Sequence, residues 1–463
     1  MSVGQSGDPN YLVVLNAILA EGSADRSSLA EYLQGRRSTD QLHVTKNYLY
    51  HLILADLRRA NSRLTREAEL HDLLRNVEIL FRRDLPEQAE RLIRKGLRIA
   101  ERFEKFEIEL ELLGWHRRVL LTLGGARDFA AALRAVAERE EFLLDQLRLV
   151  QRYRRMAVEL AMSDPSADLA LRPGVATEPP PASLRAGILY YHVLFVEQIF
   201  GGSIEAGEDT LGALMRRLED RPEWIADDPE PYVTAINNRI GLLLRSGSPE
   251  QVIELLQTIR SIPDRYPRRG RKALPVRTVM ATYNVELELY RDMKDHQRGV
   301  ALIAEVDDYL HKHKRSAPRE YRLLFYYQFA YLCFLAGDSK ESLRWLNAII
   351  TGSWGRNRPD IQGIARLLHL IIHYELGNID LLKYAVESWR RALKKQRKPV
   401  EYERVFLLFF SKLSTSRPWD RETLLLKLRH DLFPEPNDVV DPDVLDYLDF
   451  KTWIEEKIAG LAT

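Results

Sequence analysis

Apolar residues recur along this chain at steps of three and four, and alternation with a period of two is hard to find, which predicts helix almost throughout. Leu70, Leu73, Leu74, Val77, Leu80 and Phe81 lay one apolar stripe down a helix. Asp84-Leu85-Pro86 breaks it. Pro86, whose missing N–H has no partner to lose in a first turn, starts a second helix that turns Ala89, Leu92, Ile93, Leu97 and Ala100 inward. The two make a helical hairpin.

The hairpin recurs. Asp84, Gly125, Gly201, Gly247, Lys294, Gly337 and Gly377 each follow an apolar helix and precede an amphipathic one, at a spacing of roughly 40 to 47 residues apart from one gap of about 76, which holds two units or one with an insertion. Five residues past these turns stand Ala89, Ala130, Ala206, Val252, Gly299, Ser342 and Leu382, mostly small, so that the two helices of a pair can approach closely. Gly96, Ala137 and Ala213, twelve past the first three turns, give a second small site. Nine residues before the turns, on the first helix of each pair, stand Arg75, His116, His192, Asn238, Val285, Gln328 and Leu368, polar in most cases among apolar neighbours.

The expected fold is all-α, a solenoid of about seven to eight antiparallel helical hairpins. Residues 1–62 form an N-terminal helical segment, 63–162 a first set of repeats and 184–415 a second. Between them 163–183, with Pro165, Pro173, Pro179, Pro180 and Pro181, is a connector or long loop that cannot be one helix. Residues 416–463 form a C-terminal cap: a helix from Arg421 to about Leu432, a turn at Pro434-Glu435-Pro436-Asn437, and a last helix from about Pro442 to Ala459 whose Leu445, Leu448, Phe450, Trp453 and Ile454 alternate with acids.

The turn glycines and the small residues at two offsets resemble the tetratricopeptide repeat over roughly residues 66–395, in a degenerate form with a period longer than that family's. The helix Asn47-Tyr48-Leu49-Tyr50-His51-Leu52-Ile53-Leu54 and the segment from His369 to Asn378 resemble stretches of a family of uncharacterised bacterial helical-repeat proteins. The tetratricopeptide resemblance implies a superhelix whose first helices line a concave groove for a protein or peptide partner. It places Arg75, His116, Asn238 and Gln328 in that groove, with Tyr327 and Tyr331 as aromatic surface nearby. The alternative for these polar groups is hydrogen bonding between adjacent first helices.

Composition narrows the function. With 68 Lys and Arg against 67 Asp and Glu the chain has no global pull toward nucleic acid. The single cysteine, Cys333, rules out an internal disulfide and Cys-rich metal sites and fits a reducing compartment, so a cytoplasmic location is expected. Tyr11 to Ala20 lacks the basic flank of a signal peptide, and the longest uncharged run, Leu323 to Ala336, is too short to span a bilayer, so no membrane association is expected.

Catalytic signals are weak. His369 and His373 lie at i and i+4, a metal-binding spacing, but Leu370 stands where a zinc protease places its glutamate, no third ligand follows, and two half-buried histidines are the expected reading. His311 and His313 point to different helix faces. Gly124-Gly125 and Gly201-Gly202 lack the Lys-Ser or Lys-Thr of a phosphate loop. Cys333 has no basic neighbour to activate it, and the acids from Asp438 to Asp449 lack calcium-loop order. No enzyme activity, metal or cofactor is expected. A non-catalytic scaffold or protein- or peptide-binding module fits best. The alternative is a nucleic-acid-linked or transcription regulator. It would use the loose helix-turn-helix pattern of Ser28–Leu33 and Thr45–Arg59, or the basic clusters Arg152-Tyr153-Arg154-Arg155, Arg268 to Lys272 and Arg390 to Lys398.

Overall fold

A computed structural model describes the chain except for residues 1–9, 22–41, 62–63, 125–128, 163–173, 268–273, 353, 355–357, 418–419, 435–439, 441 and 462–463. Among the described residues there are 21 helices and no strand. They are α1 (Asn10–Glu21), α2 (Leu42–Asn61), α3 (Arg66–Arg82), α4 (Pro86–Arg102), α5 (Phe106–Leu123), α6 (Phe129–Ala161), α7 (Leu184–Phe200), α8 (Ile204–Glu219), α9 (Pro222–Asp227), α10 (Glu230–Ser246) and α11 (Pro249–Arg265). There follow α12 (Val276–Asp292), α13 (His296–Lys312), α14 (Arg319–Leu335), α15 (Ser339–Thr351), α16 (Pro359–Glu375), α17 (Ile379–Gln396), α18 (Glu401–Leu413), α19 (Arg421–Leu432), α20 (Pro442–Tyr447) and α21 (Phe450–Leu461). The chain divides into two compact units: unit 1 is Met1–Leu242 with Pro263–Lys272, and unit 2 is Leu243–Ile262 with Ala273–Thr463.

The hairpin turns share one construction. A residue in the left-handed region ends the first helix: Asp84, Gly202, Gly247, Lys294, Gly337 and Gly377, at φ between 58° and 83°. The next residue's N–H then bonds back across the turn, as in Leu85 to Leu80 at 3.1 Å, Asp295 to Tyr290 at 2.9 Å, Asp338 to Cys333 at 2.8 Å and Asn378 to His373 at 2.9 Å. Asp295 and Asp338 go on to cap the second helix, each accepting from the backbone N–H three residues later. Gly201 is not the turn residue; it sits at φ −73° and Gly202 supplies the positive φ. Gly125 lies outside the described residues.

Moving that turn by one residue alters the small-residue pattern. Five past Gly202 is Gly207, which is buried, and a Cβ there would stand 2.8 Å from Ile199 Cδ1; Ala206 is only half-buried. Ala89 is buried as expected, and Val252, Gly299, Ser342 and Leu382 at the same offset are buried too. Ala130 is not. It lies exposed on α6, a helix of 33 residues that fills the long gap, so the gap holds one extended hairpin and not two.

Within each unit a helix packs on its successor, and first helices stack on one another: α3 on α5 in unit 1, and α12, α14, α16 and α18 in series in unit 2. Each unit is therefore a stack of antiparallel helix pairs with an apolar seam, the arrangement of an all-α solenoid. In unit 1 Leu143, Val150 and Tyr153 of α6 pack with Tyr190 and Val193 of α7. The connector lies in this unit, and its first part, 163–173, is outside the described residues. From Val175 onward it is anchored: Val175 is fully buried, its N–H donates to the Glu197 carboxylate, and Tyr190 Oη donates to the Glu178 carbonyl at 2.7 Å. Glu104, at φ 48°, accepts from the N–H groups of Leu184 and Arg185 and so caps α7 together with Ser183. At the other end of the chain, the expected last helix is two helices, α20 and α21, broken at Leu448-Asp449.

Candidate functional site

The six residues proposed for the groove are divided between the two units. Arg75, His116 and Asn238 belong to unit 1, and none of them lines the main cavity there. Arg75 is exposed and pairs with Glu78 of its own helix at 2.9 Å. His116 is half-buried on α5 with both ring nitrogens unpartnered, and burial lowers its pKa. Asn238 is half-buried on α10. With the turn at Gly202, the position nine before it is Val193, a buried core residue, and His192 is exposed.

Tyr327, Gln328 and Tyr331 do come together. They occupy one face of α14 and line a cleft of about 1390 Å³ in unit 2, bounded by α12, α14 and α16 and, on its other side, by residues 445–457. Tyr327 is fully buried, and its hydroxyl donates to the main-chain carbonyl of Tyr447 at 2.7 Å. The Tyr331 hydroxyl accepts the main-chain N–H of Asp449 at 3.3 Å. At the end of α16, Glu375 accepts from Trp453 Nε1 at 2.6 Å and from Lys457 Nζ at 2.7 Å. Arg358 donates to the Tyr447 hydroxyl at 3.0 Å. The C-terminal segment thus lies against the face formed by the first helices.

Gln328 bridges two first helices. Its Nε2 donates to Glu288 Oε1 of α12 at 3.3 Å, the same oxygen that accepts from Asn284 Nδ2 at 2.9 Å, and its own Oε1 has no donor. Burial raises the Glu288 pKa against the opposing pull of Asn284 and Arg291. The turn at Lys294 is correctly placed, so the polar residue here is Asn284, one before Val285. Sequence reasoning missed Glu288, Arg291, Tyr447 and Asp449 as contributors. A signal for the first two was available: they stand on α12 one turn apart from Asn284 and the hairpin end, on a helix otherwise rich in apolar residues.

Other candidates resolve into structure. His369 and His373 face each other with Nε2 atoms 3.3 Å apart, one donating to the other, and Asn378 lies 3.4 Å from His373 Nδ1. Among the described residues no group of three or more His, Cys, Asp or Glu is placed to hold a metal. Burial pushes the Cys333 thiol up to about 11. Of the basic clusters, Arg152 pairs with Glu178, Arg390 with Glu387 and Arg397 with Glu403, while Arg268 to Lys272 lies outside the described residues. So does the first helix of the helix-turn-helix pattern; the second is α2, whose exposed side chains include Tyr48, Tyr50, Ile53, Leu54 and Leu57. No described helix is long and apolar enough to cross a membrane. Compared with known proteins, the chain matches no family model, no curated protein and no solved structure.

Proposed function

We propose that this chain is a non-catalytic scaffold of the tetratricopeptide-like kind, and that it holds a protein or peptide partner on the first helices α12, α14 and α16 of unit 2. The observation that carries this is the behaviour of Tyr327 and Tyr331. Both hydroxyls are spent on main-chain groups of a non-neighbouring segment, so this face of α14 grips polypeptide backbone whatever its side chains. Side-chain-to-backbone bonds of this kind give affinity without demanding one sequence. The cleft beside them, about 1390 Å³, exceeds the roughly 300–1,000 Å³ of small-molecule sites and suits a length of chain. A buried thiol held as the neutral form, and histidines held neutral by burial, support a role without nucleophilic chemistry.

Site-directed crosslinking tests the reading. A photoreactive residue at His296 or Leu335, on the wall of the cleft, is expected to capture a partner from cell extract, whereas the same residue at Tyr384, exposed on α17, is not. Equal yields at both places would remove the groove from consideration.

A further inference from the structure

The C-terminal segment does more than extend the stack, where α21 packs on α19. It folds back across the face that, on the reading above, receives the partner. Its hold there is of the kind a bound peptide would have: the helix breaks at Leu448-Asp449, and the main-chain groups beside the break are taken by Tyr327 and Tyr331. Two aromatic side chains three residues apart anchor it. Phe450 is fully buried against Phe406 and Tyr402, with ring centroids 5.1 and 6.2 Å away, and Trp453 reaches Glu375.

Both charge signs find partners. Residues 442–461 carry five acids against two lysines, and the opposite wall of the cleft offers Arg291 and Lys294 to the acids and Glu375 to Lys457, beside Glu288 and Asp292. The cleft that remains beside the segment means that this flank is not closed by side-chain packing, unlike the continuous interior of the hairpins. A segment held by the buried Leu448, Phe450, Trp453 and Ile454, by Tyr327, Tyr331 and Arg358 and by Glu375, but open along the cleft, can exchange with another of like chemistry.

We propose that residues 442–461 are a built-in occupant of the groove, and that the partner is an acidic segment with aromatic residues three apart which takes their place. The proposal rests on the groove being the partner site. In the unliganded protein the segment then acts as an autoinhibitory latch, and apparent affinity for the partner is scaled by the fraction of molecules with the latch open.

The test uses the full chain and a fluorescent synthetic peptide of residues 442–461. Replacing Trp453 and Lys457 together by Ala removes both bonds to Glu375 and frees one anchor. This double variant is expected to bind the peptide about tenfold more tightly, or better, than the unaltered chain. A peptide of scrambled order is expected not to bind, and adding Arg291→Ala to the double variant is expected to weaken binding again. A double variant that keeps its helical content and melting transition yet binds no better than the unaltered chain overturns the proposal. Hydrogen exchange on the unaltered chain gives a second measurement that needs no variant: amides of 442–461 are expected to exchange by local opening, ahead of those in α14 and α16. Exchange only together with those helices makes the segment a fixed part of the fold and also overturns the proposal. Peptide binding that survives while crosslinking at His296 and Leu335 gives no partner would refute the groove as the partner site and leave the latch intact.

Discussion

At the scale of single residues, His369 is a histidine whose protonation the fold strongly opposes. Burial, then the neighbouring His373, then Arg366 hold its pKa down at about 3, and burial lowers His373 and His116 as well. The ordinary histidine value is about 6.5. Between those limits the unfolded chain binds a proton that the folded chain refuses, so stability rises with pH across that window and falls as pH is lowered from about 6.5 toward 3. Carboxylates whose pKa is lowered, such as Glu107, Glu250 and Asp360, act in the same direction only at more acid pH, near and below their ordinary values of 4.5 and 3.8. Glu109, Glu197 and Glu288, whose pKa burial raises, work in the opposite sense above their ordinary value, so between pH 7 and pH 5 the part played by His369 is read from the difference between the unaltered chain and His369→Gln. The melting temperature is expected to fall over that interval, and to fall less in His369→Gln, whose amide can still donate to His373 without taking a proton. Calorimetry of both proteins at the two pH values checks this; parallel losses would mean that His369 is protonated in the folded state.

At the scale of elements, the small residue five past a turn sets how closely two helices pack. Ala89 is fully buried between α3, α4 and α5, so Ala89→Leu is expected to overpack the hairpin and cost about 1–3 kcal/mol. Ala130 occupies the same offset but is exposed, so Ala130→Leu is expected to stay within about 0.5 kcal/mol. Denaturant titration of the pair measures the contrast directly, and equal costs would contradict the burial of the one or the exposure of the other. The same comparison shows what could be read from the amino-acid order. Hairpins and, among the described residues, helix without strand were legible, because apolar period and turn residues repeat. The turn at Gly202 was mislaid because two glycines adjoin; Ser203, placed like the caps Asp295, Asp338 and Asn378 directly after a left-handed residue, was the signal that chooses between them. The exposure of Ala130 was not legible. It depends on α6 running on for 33 residues, which no local pattern at its start announces.

At the scale of the whole molecule, the site was less legible than the fold for a physical reason: a groove is made by residues far apart in sequence. Gln328 could be found by its offset from a turn, and Tyr327 and Tyr331 as aromatic neighbours on the same helix, but the partners Tyr447 and Asp449 lie about 120 residues on and obey no repeat. Within each unit most helix contacts join neighbours or next-but-one helices, and the longer links are few: this fold-back in unit 2, and in unit 1 the contacts of Arg66, Arg102 and Phe103 with residues 223–227 and of Glu104 with the start of α7. A structure connected in this way loses stability locally, as a chain of neighbour terms, and is not expected to unfold as one two-state body. Two substitutions make that measurable. Glu403 is fully buried and held by both terminal nitrogens of Arg397 at 2.7 Å, so Arg397→Ala leaves a buried carboxylate without its cation, at a cost of about 3–5 kcal/mol. Ala89→Leu perturbs α3, α4 and α5. Under hydrogen exchange, Arg397→Ala is expected to lower protection in α16, α17 and α18 and to leave α3 to α5 as they were, and Ala89→Leu is expected to do the reverse. Protection that drops evenly along the chain in either variant would show that the hairpins open together, and neighbour contacts would then not be what limits cooperativity in this protein.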